Sequence, residues 1–316
     1  MSREELSQYK ICTERLHHAP FPYDHPIIQQ ALFLKGVLWD LGTTITVSFI
    51  RTDDMPEWYD IAQVKGSLSP TQTLDPIELD ARNLSPEKAI EKIIMDRLQP
   101  VVQGVHFKFV PSGGMLRVRL YKLGGSSSLV GTQSNTVPPQ EHTITFGWLD
   151  VATIIHEFCH ALGMLHEHSN PNGNTIDWNP DAVYEWARET QGWDEQTAYD
   201  NIIKRYSVDE TNGSVYDPKS IMLYFFDARL TKNHVGTKEN HTLSPTDIQW
   251  LTSAYPASGP RKFPGLGSPP PNGPLTPNGP PSTDKSKKGT MMWVIVAIIV
   301  GLLLLFFVIN ALHTRY

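Results

Sequence analysis

The stretch Val151–His168 constrains this chain more than any other, because it places histidines at fixed intervals around a glutamate and a glycine. It reads VATIIHEFCHALGMLHEH and contains the pattern H-E-x-x-H-x-x-G-x-x-H. In a helix of about 3.6 residues per turn, His156 and His160 project from one face, so their rings can meet at one point. His166 would lie on nearly the opposite face, about 15 Å along the axis from His156. The helix must therefore end first, and Gly163, which has no Cβ, is where the chain can turn back.

These residue types and spacings predict a zinc site. Neutral imidazoles of His156, His160 and His166 would bind Zn²⁺ and leave an open position for water, as catalytic zinc sites do. Glu157, beside the ligands, would take a proton from that water. A lone H-E-x-x-H occurs by chance on amphipathic helices, whereas the added glycine and third histidine favour a metal site.

The composition is that of a folded protein with no electrostatic support for binding nucleic acid. The chain of 316 residues carries 27 basic and 33 acidic side chains, a formal net charge of −6. We therefore expect no nucleic-acid partner. Cys12 and Cys159 are its two cysteines, too few for a disulfide framework. We interpret Cys12 as an unpaired thiol rather than as a cap on the zinc of a latent form.

The alternation of residue types predicts an α+β domain that starts near Leu38, after a polar N-terminal segment, 1–37, without a signal peptide. β-Branched and aromatic runs predict strands, and apolar stripes that follow capping residues predict helices. The predicted strands are 44–49, 106–110, 116–121 and 143–148; beyond the helix that starts at 151, the predicted helices are 86–98, 181–190 and 195–205.

Several stretches together resemble one family of proteins. The histidine pattern resembles that of the metzincin metallopeptidases, and Glu167, directly after the third histidine, is similar to its form in the astacin family. Ser220–Tyr224, which reads SIMLY, resembles the Met-turn of that family. Further matches, in the family's order, are Leu116–Leu120, Gly131–Thr132, Tyr216–Pro218 and Leu243–Ile248. The resemblance covers residues 38–256 and is particularly to the microbial branch.

The resemblance implies a metzincin-like fold, with a twisted mixed sheet and the active-site helix in the N-terminal half and a mostly helical or irregular C-terminal half. It implies a zinc-dependent endopeptidase in which Glu157 is general base and acid for a metal-activated water. Tyr224 would be the family's tyrosine that can ligate zinc at rest and swing to hydrogen-bond the oxyanion, while Met222 and Gly163 would support the site structurally. A protein or peptide substrate would bind as an extended strand along a sheet edge at Leu116–Tyr121.

The sequence also departs from the family. Cys159 lies inside the motif where Gly, Leu or Met is common, and neither the family's disulfides nor its zinc-blocking aspartate is recognisable. Glu167 pairs in the family with an N-terminus freed by activation, and no cleavage site is visible here. The alternative function is a catalytically silent, zinc-bound module for peptide binding or adhesion, although Glu157 and Tyr224 are both intact.

The composition changes sharply after Pro256. Residues 257–290 are rich in Pro, Gly, Ser and Asn and are predicted to form an extended stalk. Residues 291–312 are uncharged and apolar, enough to cross a hydrocarbon core of about 30 Å as one helix, and leave a short tail, 313–316. We expect a single-pass C-terminal anchor with the catalytic domain on the cytosolic side, since lysines precede the span. The sequons at Asn212 and Asn240 favour the opposite side, outside the cell or in a lumen.

Overall fold

A six-stranded mixed sheet supports the N-terminal half of the chain in the computed structural model, which describes residues 13–15, 33–50, 84–120, 125–147, 149–207, 211–212 and 214–264. The strands are, in chain order, β1 (Thr13–Arg15), β2 (Phe33–Leu34), β3 (Thr44–Ile50), β4 (His106–Phe109), β5 (Leu116–Leu120), β6 (Ser127–Leu129), β7 (Ile144–Phe146) and β8 (Thr211–Asn212). β2 and β8 form an antiparallel pair of their own. The other six lie in the order β1-β6-β7-β5-β3-β4.

β5 lies inside the sheet, so the prediction of a sheet edge at Leu116–Tyr121 is wrong. β5 pairs in parallel with β3 on one side and with β7 on the other. Its Arg117 is 6% exposed and donates to backbone carbonyl oxygens, which lets a charged residue lie inside the fold. These acceptors belong to Gly114, Met115, Ser134, Pro138 and Glu141.

β6 pairs in antiparallel with β7 on one side. On its other side β6 pairs in parallel with β1, with Glu14 opposite Ser128. Among the described strands, the two edges of the sheet are therefore β1 and β4. A strand from the N-terminal segment thus covers the edge that β6 would otherwise expose.

Four of the five described helices agree in position with the sequence predictions, whereas α5 was not predicted. They are α1 (Pro86–Ile93), α2 (Val151–Ala161), α3 (Pro180–Thr190), α4 (Glu195–Ala198) and α5 (Pro245–Ala254). Wider π-helical turns extend α1 through Ile94–Leu98 and α4 through Tyr199–Ile203, and short 3₁₀ turns occur at Gly131–Asn135, Glu167–Ser169 and Ala228–Leu230. The strands near 44–49, 106–110 and 143–148 are also confirmed. The chain is α+β with a mixed sheet, as predicted.

The histidine-bearing helix α2 is buried and closed at both ends by hydrogen bonds. Asp150 caps it by accepting from the backbone N–H of Thr153 at 2.7 Å. All residues from Ile154 to Ala161 are buried, and α2 packs against α1, β6 and β7. Gly163 follows with φ +102°, and its N–H donates to the carbonyl of His160 at 2.7 Å. The predicted turn at Gly163 is confirmed.

Residues beyond both predicted ends of the domain pack against it. Phe33 and Val37 are fully buried, so the core includes residues before Leu38. Arg261 donates to the carbonyl oxygen of Trp39, and the ring of Phe263 stacks on Trp250 at 5.6 Å. Among the described residues, no helix is long and apolar enough to cross a membrane. The predicted span, 291–312, most of the predicted stalk and the tail lie outside the described residues.

Candidate active site

Three histidines converge in the interior, as their spacing predicts. His156 and His160 come from α2, and His166 comes from the segment after the turn at Gly163. All three are buried, and their potential ligand atoms lie within 4.8 Å of one another. The Nε2 atoms of His160 and His166 are 3.0 Å apart.

Hydrogen bonds to backbone carbonyls set the tautomers of the two helix histidines. His156 Nδ1 lies 2.8 Å from the carbonyl oxygen of Ile221, and His160 Nδ1 lies 2.7 Å from that of Met164. Because a carbonyl oxygen can only accept, each Nδ1 carries the proton and each Nε2 presents a lone pair. Lone pairs directed at one another in a buried place are stabilised by a cation, and imidazole nitrogens suit Zn²⁺. The residues present therefore fit a zinc ion.

Burial also keeps these imidazoles neutral. It lowers the pKa of His156 from 6.5 to about 4, and it lowers the pKa values of His160 and His166 well below the usual 6.5. A protonated imidazole cannot bind a metal, so a histidine that is already neutral at neutral pH binds zinc without first losing a proton.

Tyr224 lies where the ligand atoms converge. Its hydroxyl is 3.3 Å from Nε2 of His156 and makes a short hydrogen bond with Nε2 of His166. The centroids of the Tyr224 and His166 rings are 4.4 Å apart. Met222, two residues earlier, is fully buried, and its carbonyl oxygen accepts from the N–H of Glu167 at 2.9 Å. The turn of Ser220–Tyr224 thus packs against the segment that carries the third histidine.

The two glutamates of the motif lie in different surroundings. Glu157 is fully buried on α2, directly after His156. Glu167 Oε1 accepts from Asn170 Nδ2 and from the N–H of Asp217, both at 2.8 Å. Burial raises the pKa of Glu167 well above 4.5. Glu167 therefore connects the third-histidine segment to the loop before the Met-turn.

His168, which the sequence leaves unassigned, is a core residue. It is fully buried and its Nε2 lies 2.9 Å from the carbonyl oxygen of Asn201. Its ring contacts those of Trp178 and Phe226 edge-on. It therefore packs the C-terminal half rather than joining the ligand set.

Asp247 has a part in the site that sequence reasoning missed. Its buried carboxylate accepts from the N–H of Ile221 at 2.8 Å and from Ser220 Oγ at 2.7 Å. Burial raises the pKa of Asp247 to about 6. Through Ile221, whose carbonyl accepts from His156, the start of α5 is connected to a metal ligand. The available signal, Ser244 three residues before Asp247, indicates a helix cap but not this contact.

The fold and the site together define a class of protein. A mixed sheet lies against a buried helix that bears two histidines; a glycine turn then brings in a third, and a turn of the sequence SIMLY packs against them. This arrangement is that of a zinc metallopeptidase with a metzincin-like fold.

Comparisons with known proteins identify the family within that class. Residues 86–253, more than half of the chain, match the family model of Astacin, which describes a family of peptidases. A solved structure of myroilysin is 29% identical, with a TM-score of 0.54, and the match covers 72% of this chain and 98% of that chain. A second myroilysin structure is 26% identical, with a TM-score of 0.47 and coverage of 79% and 93%.

A hatching-enzyme zinc protease of the medaka fish Oryzias latipes, high choriolytic enzyme 1, is 14% identical, with a TM-score of 0.40 and coverage of 69% and 94%. A search of curated proteins gives no match. The chain belongs to the astacin family, and it is a zinc metalloendopeptidase, a hydrolase that acts on peptide bonds.

The depressed pKa of His156 predicts how the zinc-free protein responds to acid. Its folded value, about 4, is below its reference value of 6.5, so the associated stability is present above pH 6.5 and is lost as the pH falls toward 4. The free energy of unfolding in urea can be measured for wild type and for His156→Phe. The difference, wild type minus variant, should fall by about 2 kcal/mol between roughly pH 7.5 and pH 5. Groups whose pKa values do not depend on His156 cancel in this difference. A difference independent of pH would contradict the expectation.

Proposed function

We propose that this metalloendopeptidase cleaves proteins or peptides with Glu157 as general base and acid and Tyr224 as donor to the oxyanion. The observation that carries the proposal is the convergence of the Tyr224 hydroxyl with the Nε2 atoms of His156 and His166. A reacting carbonyl group at this point would be within reach of both the metal site and the phenol.

Zinc held by the three histidines would polarise the scissile carbonyl and lower the pKa of a water molecule. Glu157 would accept the proton of that water and then give it to the leaving amine, which keeps the proton count balanced. Its position on a rigid, buried helix beside two ligands supports this role. Tyr224 would donate its phenol proton in a hydrogen bond to the developing negative charge, with Met222 packed behind the ligands.

Replacement of the general base separates an enzyme from a silent binding module. Glu157→Gln should lower kcat/KM for a peptide substrate by roughly a hundredfold or more, while zinc content stays at one ion per chain by atomic absorption. Glu185→Gln, on the exposed face of α3, is the matched control and should cleave like wild type. Equal cleavage by Glu157→Gln would contradict the assignment, and peptide binding without cleavage by wild type would favour the silent module.

We propose further that the substrate adds a strand to β6. Three observations support β6 in place of β5: it packs against the ligand helix α2, it runs antiparallel to its neighbour β7, and only the short strand β1 lies beyond it in the described sheet. Its other side pairs with β1, which includes Glu14. A substrate strand would have to take the place of β1, so the N-terminal strand would restrain activity.

Weakening the β1 pairing should therefore activate the enzyme. Glu14→Pro removes a backbone N–H and should raise kcat/KM by about tenfold, the equivalent of one or two backbone hydrogen bonds. Glu14→Ala keeps the backbone donor and is the control, which should behave like wild type. If the proline variant is more accessible to limited proteolysis before Phe33 but is no more active, β1 does not restrain the site.

We also propose that residues 291–312 anchor the enzyme in a membrane with the catalytic domain on the cytosolic side. The uncharged run and the lysines before it support the span and its direction. The sequon at Asn240 supports the same side, because Asn240 Nδ2, the atom that a glycan would modify, donates to the carbonyl oxygens of Pro218 and Ser220 at 3.1 and 2.9 Å. A glycan would replace one of the two Nδ2 hydrogens, so at least one of these hydrogen bonds would be lost.

Deletion and glycan mapping test the anchor. The full chain should stay with membranes after alkaline extraction, whereas a chain that ends at Pro264 should be released and should still bind zinc. Treatment with an N-glycosidase should not change the electrophoretic mobility of wild type. The Asn240→Gln variant should have the same mobility as wild type. A glycosidase-sensitive shift that Asn240→Gln abolishes would place the domain in a lumen or outside the cell.

A further inference from the structure

The loop Thr231–Thr237 returns to the backbone beside Tyr224. It follows the 3₁₀ turn Ala228–Leu230, and its last residue lies against the segment Tyr224–Phe226. Nothing in the proposed mechanism uses this loop, and its tip carries Val235, a large apolar side chain that is 63% exposed. Its hydrogen bonds are directed inward and give it a defined shape.

Thr231 and Gly236 account for the shape of the loop. Thr231 Oγ1 accepts from the N–H of Val235 at 3.0 Å and lies 3.1 Å from the Val235 carbonyl oxygen. His234 has a φ of +53°, which closes the turn. A Cβ on Gly236 would lie 2.5 Å from the carbonyl oxygen of Phe226, so only glycine lets the two segments approach this closely. The loop is therefore built to bring residue 237 against the tyrosine segment.

Thr237 makes three hydrogen bonds to that segment. Its Oγ1 accepts from the N–H of Phe226 at 2.6 Å and donates to the carbonyl oxygen of Tyr224 in a short hydrogen bond. Its own N–H donates to the carbonyl oxygen of Phe226 at 3.0 Å. One hydroxyl group thus fixes the peptide groups on both sides of Phe225, next to the Cα of Tyr224.

The backbone at Tyr224 determines where its hydroxyl lies, because the phenol oxygen is at the far end of a long, rigid side chain. A small rotation at the Cα becomes a large displacement at the oxygen, and displacements of about 1 Å can cost a hundredfold in rate. The ring of Tyr224 also packs against four aromatic rings, those of His156, His166, His168 and Phe226, at centroid distances of 5.2, 4.4, 5.7 and 6.0 Å. The hydrogen bonds of Thr237 add a constraint on the backbone from which this ring extends, and therefore on the position of the hydroxyl.

We propose that Thr237 is a positioning residue for catalysis: its hydroxyl holds the Tyr224 backbone so that the phenol oxygen meets the carbonyl of the substrate. The inference rests on the proposed role of Tyr224. Thr237 itself touches neither the ligands nor the substrate and acts only through Tyr224.

Kinetics of paired variants test the proposal. Thr237→Val, which keeps the shape and loses the hydroxyl, should lower kcat by about tenfold with KM within about twofold, whereas Thr237→Ser should restore wild-type kcat. Thr252→Val, an exposed threonine on α5, is the matched control and should be unchanged. In a Tyr224→Phe background, Thr237→Val should have no further effect, because it acts through the phenol. An equal loss of kcat in that background would overturn the proposal.

A spectroscopic readout distinguishes this inference from the proposed function. In the copper(II)-substituted protein, a phenolate close to the metal gives a charge-transfer absorption that Tyr224→Phe should abolish. The band should be weaker or shifted in Thr237→Val and normal in Thr237→Ser, at unchanged copper content. If Tyr224→Phe retains full kcat, the role of Tyr224 in the proposed function fails. If the band and kcat of Thr237→Val both match wild type, the positioning role of Thr237 fails.

Discussion

The metal centre depends on two hydrogen bonds, from His156 Nδ1 to the carbonyl of Ile221 and from His160 Nδ1 to the carbonyl of Met164. They leave both Nε2 atoms unprotonated and aimed at the same buried point, where a lone pair without a cation would be costly. The two acceptors come from different places in the chain, one from the turn after α2 and one far downstream. The Met-turn thus provides the carbonyl oxygen of Ile221 as the hydrogen-bond acceptor for the zinc ligand His156. The site can form only if the fold brings this turn against α2.

The C-terminal half achieves this with little regular structure. Hydrogen bonds from side chains to the backbone of neighbouring loops hold these segments together in place of hydrogen bonds between strands. Asp247 binds the backbone of Ile221, Glu167 that of Asp217, and Thr237 that of Tyr224. Burial disfavours the ionised form of a carboxyl group, and it raises the pKa values of Asp247 and Glu167. Each carboxylate instead accepts two or more hydrogen bonds, which offset that cost. The stability of the loops and the geometry of the site therefore depend on the same contacts.

Much of the site follows from local sequence, because ligand spacing, the turn at Gly163 and the Met-turn are set within short segments. The α+β class and most element positions follow for the same reason. The sheet edge does not: the family resemblance implies an edge at β5, whereas β5 pairs with a strand on each side. Its Arg117 is buried, with carbonyl acceptors from three separate segments. Pairing of β1 with β6, more than 100 residues apart, leaves no periodic signal in either strand. The contact of Thr237 with Tyr224 likewise depends on a loop whose shape no pattern predicts.

The proposed addition of a substrate strand to β6 would make the β1 pairing a point of control. A strand tethered within the same chain competes with a free peptide at an effective concentration that reaches the millimolar range for short linkers. A substrate strand at micromolar concentration, with the same intrinsic affinity for β6 as β1 has, would therefore lose to β1 unless β1 is released or weakened. Since Phe33 and Val37 are buried in the core, the chain from Phe33 onward can stay in place while Thr13–Arg15 leaves. Control of the active site can thus lie in a three-residue strand, without any change at the zinc ligands.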